Sequence, residues 1–137
     1  MPVHHEIDHE KKLLITTCSG ISSDSEFSEA LINYYREIMS NRDYELYNEV
    51  IDLSQIDKFN LTTHGIIELS KIARSNDRSD IQSRLAIIAA SPTAFGLSKM
   101  YTTYRNMEPN LHKEMQVFKS KEEAFIWLSE PAIHLNT

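Results

Sequence analysis

The chain has 137 residues, of which 41% are hydrophobic and 25% charged, and its formal net charge is −6. This size and composition are typical of one globular domain and argue against disordered and fibrous proteins. An acidic surface repels phosphate groups, so we expect no nucleic-acid partner. Cys18 is the single cysteine, and the first residues lack the basic start and apolar core of a signal peptide, so we expect a cytoplasmic protein. No apolar run reaches about 20 residues, so we expect no membrane span.

The first two predicted elements are strands joined by a tight turn. Val3 and Ile7 indicate a weak first strand, and the β-branched run over 13–18 indicates a stronger second strand that stops at Ser19 and Gly20. The connection over 10–12 is too short for a crossover between parallel strands. We therefore expect a hairpin.

A helix, a strand and a second helix follow. Ser23 and Glu26 have the spacing of a capping box, in which each side chain bonds the other residue's backbone amide at a helix start. A third strand is predicted over 47–53. After a loop over 55–61, Thr62 or Thr63 is expected to cap the second helix.

The second half of the chain continues the alternation. The run over 85–90 is apolar at every position, which is typical of a parallel strand covered on both faces. Ser91 and Pro92 then favour the start of a third helix. On that helix we expect Leu97, Met100, Tyr101 and Tyr104 to face inward and Ser98 outward, with Gly96 allowing close packing on the sheet.

A short strand over 115–118 and a helix opened by Ser120 and Glu123 complete the pattern. The order ββαβαβαβα predicts an α/β fold with an N-terminal hairpin and then a mostly parallel sheet with helices packed on it. We expect a single domain over 1–130 and a frayed tail over 131–137.

Three stretches in order carry a family pattern: a strand ending in Asp52-Leu53-Ser54, the apolar strand over 84–89 continuing to 95–101, and Val117-Phe118 followed by 123–128. Together they resemble the STAS domains, the anti-sigma-factor-antagonist-like family, and more closely their SpoIIAA-like relatives. The resemblance implies a (βα)n superhelical fold. It also implies a non-catalytic regulatory module that acts by partner switching, through a kinase-like or sigma-regulator-like protein partner or by self-association.

The resemblance also points to a switch at the start of the second helix, where the family phosphorylates a serine within an Asp-Ser-Ser-Gly motif. The matching region here, 60–65, reads Asn-Leu-Thr-Thr-His-Gly. Asn60 takes the acidic position and Thr62 the phosphorylated one, and the glycine comes two residues late. A phosphate on Thr62 or Thr63 would gain from the free amides of the helix. The alternative, which we favour, is that these threonines only cap the helix.

Other candidate contacts lie at predicted carboxyl ends of strands, where open α/β sheets bind ligands. Asp52 and Ser54 end one strand, and Asp57 is close enough in sequence to form a paired-acid site with Asp52. We favour the alternative that Asp52 accepts backbone amides of its own loop. Ser91 opens a helix after a buried strand, a position that can hold an anion.

The remaining side chains do not add up to a chemical site. His4, His5 and His9 lack a second cluster that would complete a metal site, and Cys18 has the surroundings of a buried hydrophobe. We therefore expect no catalytic residue, no metal and no cofactor. The surplus of Met and aromatic residues on the last two helices suggests an alternative function, a binding module for a small apolar or lipid-like ligand.

Overall fold

The computed structural model describes residues 2–77, 82–108 and 112–130. Within these ranges five strands form one sheet in the order β1-β2-β3-β4-β5. Their bounds are Val3–Asp8 (β1), Leu13–Cys18 (β2), Asn48–Asp52 (β3), Ser83–Ile88 (β4) and Lys113–Phe118 (β5). β1 and β2 pair antiparallel as a hairpin, and each later strand pairs parallel with the one before it. The predicted hairpin and parallel continuation are confirmed.

Helices connect the parallel strands. Their bounds are Asp24–Glu37 (α1), Thr63–Arg74 (α2), Pro92–Asn106 (α3) and Lys121–Ser129 (α4), and a short 3₁₀ turn spans Arg42–Tyr44. The predicted order ββαβαβαβα is therefore confirmed. Helices α1, α2 and α3 cover one face of the sheet, and α4 covers the other. None of the helices in the described ranges is long and apolar enough to cross a membrane.

The helices begin at the residues that the capping patterns predict. Ser23 and Glu26 make both bonds of a capping box. Thr62 caps α2, with its side chain accepting the Gly65 amide, while Thr63 is already the first helical residue. Ser91 and Ser120 accept amides in the same way at the starts of α3 and α4. Each side chain satisfies an amide that has no partner within the helix.

The buried face of α3 differs in part from the prediction, since Leu97, Met100 and Tyr101 pack against the core as predicted but Tyr104 does not. Ser98 is 5% exposed and Arg105 is 1% exposed, whereas Tyr104 is 38% exposed. A Cβ added to Gly96 would meet nothing within 4 Å, so this glycine does not allow close packing on the sheet. The buried stripe of α3 runs through Ala94, Ser98, Thr102 and Arg105. Because these residues are small or polar, the apolar pattern pointed to the neighbouring stripe instead.

The sheet separates two core layers. Side chains such as Cys18 and Ile87 pack with α1, α2 and α3, while Val50 and Ile88 pack with Ala124 of α4. Burial on both faces of β3 and β4 fits strands in the middle of a parallel sheet. The predicted tail over 131–137 lies outside the described residues.

Candidate functional site

An apolar cavity of about 110 Å³ lies between the sheet and helices α1 to α3. The strands contribute lining residues that include Cys18, Ile51 and Ile87, and the helices contribute residues that include Leu31, Ile66 and Leu97. Both fully buried and half-buried side chains line it. The cavity therefore extends from the core toward the surface.

Short side chains at several positions leave this space between the sheet and the helices. The backbone of α3 lies against β5, whereas those of α1 and α2 approach the strands at few points. Thr16, Cys18, Ala30 and Ser98, all small, line the space. Larger apolar side chains at these positions would close it, as in an ordinary close-packed interior.

His5 is a polar side chain in the wall of the cavity. Its Nδ1 lies 2.9 Å from Oγ1 of Thr16, and its ring centroid lies 5.5 Å from that of Tyr34. Burial holds the pKa of His5 below its ordinary value; the charge of Glu37 opposes this shift and His4 adds to it. At neutral pH the wall therefore carries an uncharged imidazole.

Tyr34 also lines the cavity, and its hydroxyl bonds a buried carboxylate. The hydroxyl donates to Oε1 of Glu49 at 2.7 Å, and Nζ of Lys113 pairs with the other carboxylate oxygen. Glu49 is only 4% exposed. Burial, followed by the charge of Glu49, holds the pKa of Tyr34 well above its ordinary value, so its hydroxyl remains a donor.

A second buried charge lies at the end of α3. Nη2 of Arg105 contacts Oδ1 of Asp77 at 2.5 Å, and its Nη1 contacts Oε1 of Glu108 at 3.1 Å. Burial raises the pKa of the neighbouring Tyr101 to about 12, against the lowering effect of Arg105. Sequence reasoning missed this cluster; the only signal for it is that Arg105 continues the spacing of Ser98 and Thr102.

The predicted acidic pair does not assemble. Asp52 is 2% exposed, and its Oδ1 accepts from the amide of Ser54 at 2.9 Å and from the hydroxyl of the same residue at 2.6 Å. Nζ of Lys121, in the first turn of α4, lies 3.7 Å from Oδ2. Asp57 is exposed and makes no hydrogen bond or ion pair with Asp52 in the described part of the chain. This geometry agrees with an aspartate that orders its own loop.

The predicted switch residues lie at the junction of two helices. The hydroxyl of Thr62 donates to Oδ2 of Asp24 at 2.5 Å, and its amide donates to Oδ1 at 2.8 Å. Thr63 and Asn60 are exposed nearby. These two bonds hold the pKa of Asp24 below its ordinary value, the hydroxyl having the larger effect. Sequence reasoning missed Asp24 because it is 38 residues away from its partner.

The other predicted positions have structural contacts. Ser91 accepts the Ala94 amide at 3.1 Å as the cap of α3. Nδ1 of His9 lies 3.1 Å from the Tyr47 hydroxyl, and no group of three or more potential ligands arranged for a metal occurs among residues 2–77, 82–108 and 112–130. Burial raises the pKa of the Cys18 thiol to about 11, and the charge of Asp52 adds to this effect.

The cavity is therefore the candidate site. No protein-family model matches the chain, and no curated protein is significantly similar to it.

Proposed function

We propose that this domain binds a small apolar ligand in the cavity between the sheet and α1 to α3. The observation that carries the proposal is the cavity itself, about 110 Å³ lined almost wholly by apolar side chains. Binding pockets for small molecules have this composition, with a few polar groups that fix orientation. The polar side chains of this wall include His5, Thr16, Tyr34, Ser98 and Tyr101.

The energetics favour an occupant. An apolar molecule in this space of about 110 Å³ would make contacts that the open space lacks. Water in an apolar space finds few polar partners, so an apolar molecule that displaces it is favoured. A ligand that fills the space would recover the lost contacts and stabilise the folded state.

Benzene binding tests this proposal directly. We expect resonances of Leu31, Ile66 and Ile87 to shift on titration with benzene in heteronuclear NMR spectra, and the unfolding temperature to rise with benzene concentration. Absence of both effects at saturating benzene would contradict the proposal.

Two matched variants test whether benzene binds in the cavity. Ala30→Leu fills the cavity from α1 and is expected to abolish the shifts while keeping the protein folded. Ala90→Leu adds the same atoms at an exposed position outside the cavity and should leave benzene binding unchanged. Equal effects of the two variants would count against the cavity as the binding site.

A second candidate function is the regulatory one, a partner-switching module of the STAS type. It is supported by the exposed position of Thr62, whose hydroxyl bonds Asp24 across the junction of α1 and α2. A phosphate on that hydroxyl would remove the bond and place two negative charges side by side. The expected consequence is a rearranged junction between α1 and α2, which a partner protein would sense.

Mass spectrometry of the intact protein, isolated from its own cells under several growth conditions, tests this second function. A phosphate located at Thr62, together with loss of a co-purified partner in Thr62→Glu but not in Thr63→Glu, would support it. A protein that is never phosphorylated would count against it.

A further inference from the structure

We infer that the ligand of the cavity is a compact neutral molecule, a single ring or a chain of about six carbons, whose one hydroxyl or carbonyl group bonds the side chain of Ser98. This inference rests on the proposed function and narrows its ligand class. It predicts that small ring compounds with one polar group bind and that fatty acids and other lipids do not.

The size of the cavity sets the first limit. Its volume of about 110 Å³ is somewhat below that of an engineered cavity of about 150 Å³ that binds benzene. A single six-membered ring is therefore close to the largest rigid body that fits without displacing side chains. The acyl chain of an ordinary membrane lipid is several times larger.

The charge of the wall sets the second limit. Among the described residues that line the cavity there is no Lys, Arg, Asp or Glu. A carboxylate or an ammonium group inside it would lose its hydration without gaining an opposite charge, which is strongly unfavourable. The ligand must therefore be neutral where it contacts this wall.

Ser98 provides the polar contact. It lies on α3, lines the cavity and is only 5% exposed. Its hydroxyl makes no hydrogen bond within residues 2–77, 82–108 and 112–130. Nε of Arg105 is the side-chain polar atom that is fully buried without a partner in the described part of the chain, so the Ser98 hydroxyl keeps some accessible surface, where a small molecule could reach it. A ligand hydroxyl or carbonyl would supply the missing partner, because a serine hydroxyl both donates and accepts.

The other polar groups of the wall already have partners. Oγ1 of Thr16 bonds Nδ1 of His5, the hydroxyl of Tyr34 bonds Glu49, and that of Tyr101 bonds Arg105. Ser70, on α2, shows the usual arrangement for a buried helical serine, since its hydroxyl donates to the carbonyl of Ile66 at 3.0 Å. The contrast between these groups and Ser98 identifies Ser98 as the ligand's partner.

Three probes of related shape test the inference by NMR titration: benzene, phenol and benzoate. We expect phenol to bind, benzoate not to bind, and Ser98→Ala to weaken phenol roughly fivefold while leaving benzene affinity unchanged. Ser70→Ala removes an equally buried serine hydroxyl from a neighbouring helix and serves as the control. Decanoate, a longer chain with a carboxylate, should not bind.

The outcomes separate the inference from the function on which it rests. The inference is wrong, and the proposed function stands, if benzene binds but Ser98→Ala weakens the binding of benzene and phenol to the same extent or affects neither. The same holds if benzoate or decanoate binds as well as phenol. If neither benzene nor phenol binds the wild-type protein, the proposed function itself fails.

Discussion

Asp24 and Thr62 join the first turns of two helices that are far apart in sequence. One carboxylate of α1 accepts both the hydroxyl and the amide of the residue that caps α2, at 2.5 Å and 2.8 Å. Thr62 therefore accepts the amide of Gly65 and donates to Asp24 with the same hydroxyl group. This contact fixes the spacing of α1 and α2, which both line the cavity.

Gly65 is required by this contact. A Cβ built on Gly65 would clash with Oδ1 of Asp24 and lie 2.9 Å from Cδ1 of Leu61. We expect Gly65→Ala to displace the carboxylate from Thr62 and to lower the free energy of unfolding by about 1–2 kcal/mol, measured by urea denaturation.

Gly96 is the matched control, since it also lies in a helix but a Cβ there would meet nothing within 4 Å. Gly96→Ala should raise the free energy of unfolding by about 0.5–1 kcal/mol, because alanine loses less backbone entropy on folding. If the two variants had the same sign of effect, the role assigned to the Asp24 contact would be wrong.

The same contact predicts a loss of stability in acid. The bonds from Thr62 lower the pKa of Asp24 in the folded state below its value in the unfolded state. The resulting stabilisation is present above the ordinary carboxyl pKa of about 4 and is lost as the pH falls through the lower folded value. We expect the unfolding temperature of the wild type to fall more steeply below pH 4 than that of Asp24→Asn.

Glu29 provides the comparison for this titration. It is an exposed carboxylate of the same helix and makes no hydrogen bond or ion pair in the described part of the chain. Glu29→Gln should keep the wild-type pH dependence. If the unfolding temperature of Asp24→Asn fell as steeply in acid as that of the wild type, other carboxyl groups would be the cause of the acid sensitivity.

The fold could be predicted because its signals are local. Ser23 with Glu26, and Ser91 with Pro92, start helices through bonds or a fixed backbone angle within one turn, and these patterns can be read directly from the sequence. The alternation of such helices with apolar strands then leaves few topologies.

The candidate site could not be predicted in this way because it is a space between distant elements. Thr16, Ala30 and Ser98 line it together only after the strands have paired and α1 and α3 have packed on them. A small residue gives no sign in sequence of whether its neighbours fill the space beside it. Ser98 was predicted to face solvent for the same reason, since a serine on a helix is usually exposed.

Tyr34 is expected to stabilise the fold through its hydroxyl. Tyr34→Phe keeps the ring at the cavity wall but removes the donor that lies 2.7 Å from the buried Glu49. Because a buried carboxylate is left with one partner fewer, we expect the free energy of unfolding in urea to fall by about 1–3 kcal/mol. Tyr104→Phe removes a hydroxyl from a tyrosine that is 38% exposed, and its effect should stay within about 0.5 kcal/mol. Similar losses in both variants would contradict the role assigned to the Glu49 contact.

His5 is expected to make binding of the proposed ligand depend on pH. It lies in the cavity wall between the hydroxyl of Thr16 and the ring of Tyr34, with Glu37 and His4 as the charged or titratable groups that act on it. Burial lowers its pKa in the folded state below the ordinary value of 6.5, so the folded state prefers the neutral ring. The stabilisation is complete above pH 6.5 and is lost as the pH falls through the lower folded value.

Below that value a positive charge enters an otherwise apolar wall, which should expel a neutral ligand. We therefore expect the affinity for phenol, measured by NMR titration, to fall as the pH is lowered below 6.5 and His5 takes up its proton. His5→Gln should remove most of this dependence, because a glutamine amide stays neutral over the same range. His64→Gln changes a histidine whose side chain is 79% exposed on α2 and should keep the wild-type profile. A profile that persists in His5→Gln would assign the pH dependence to another group.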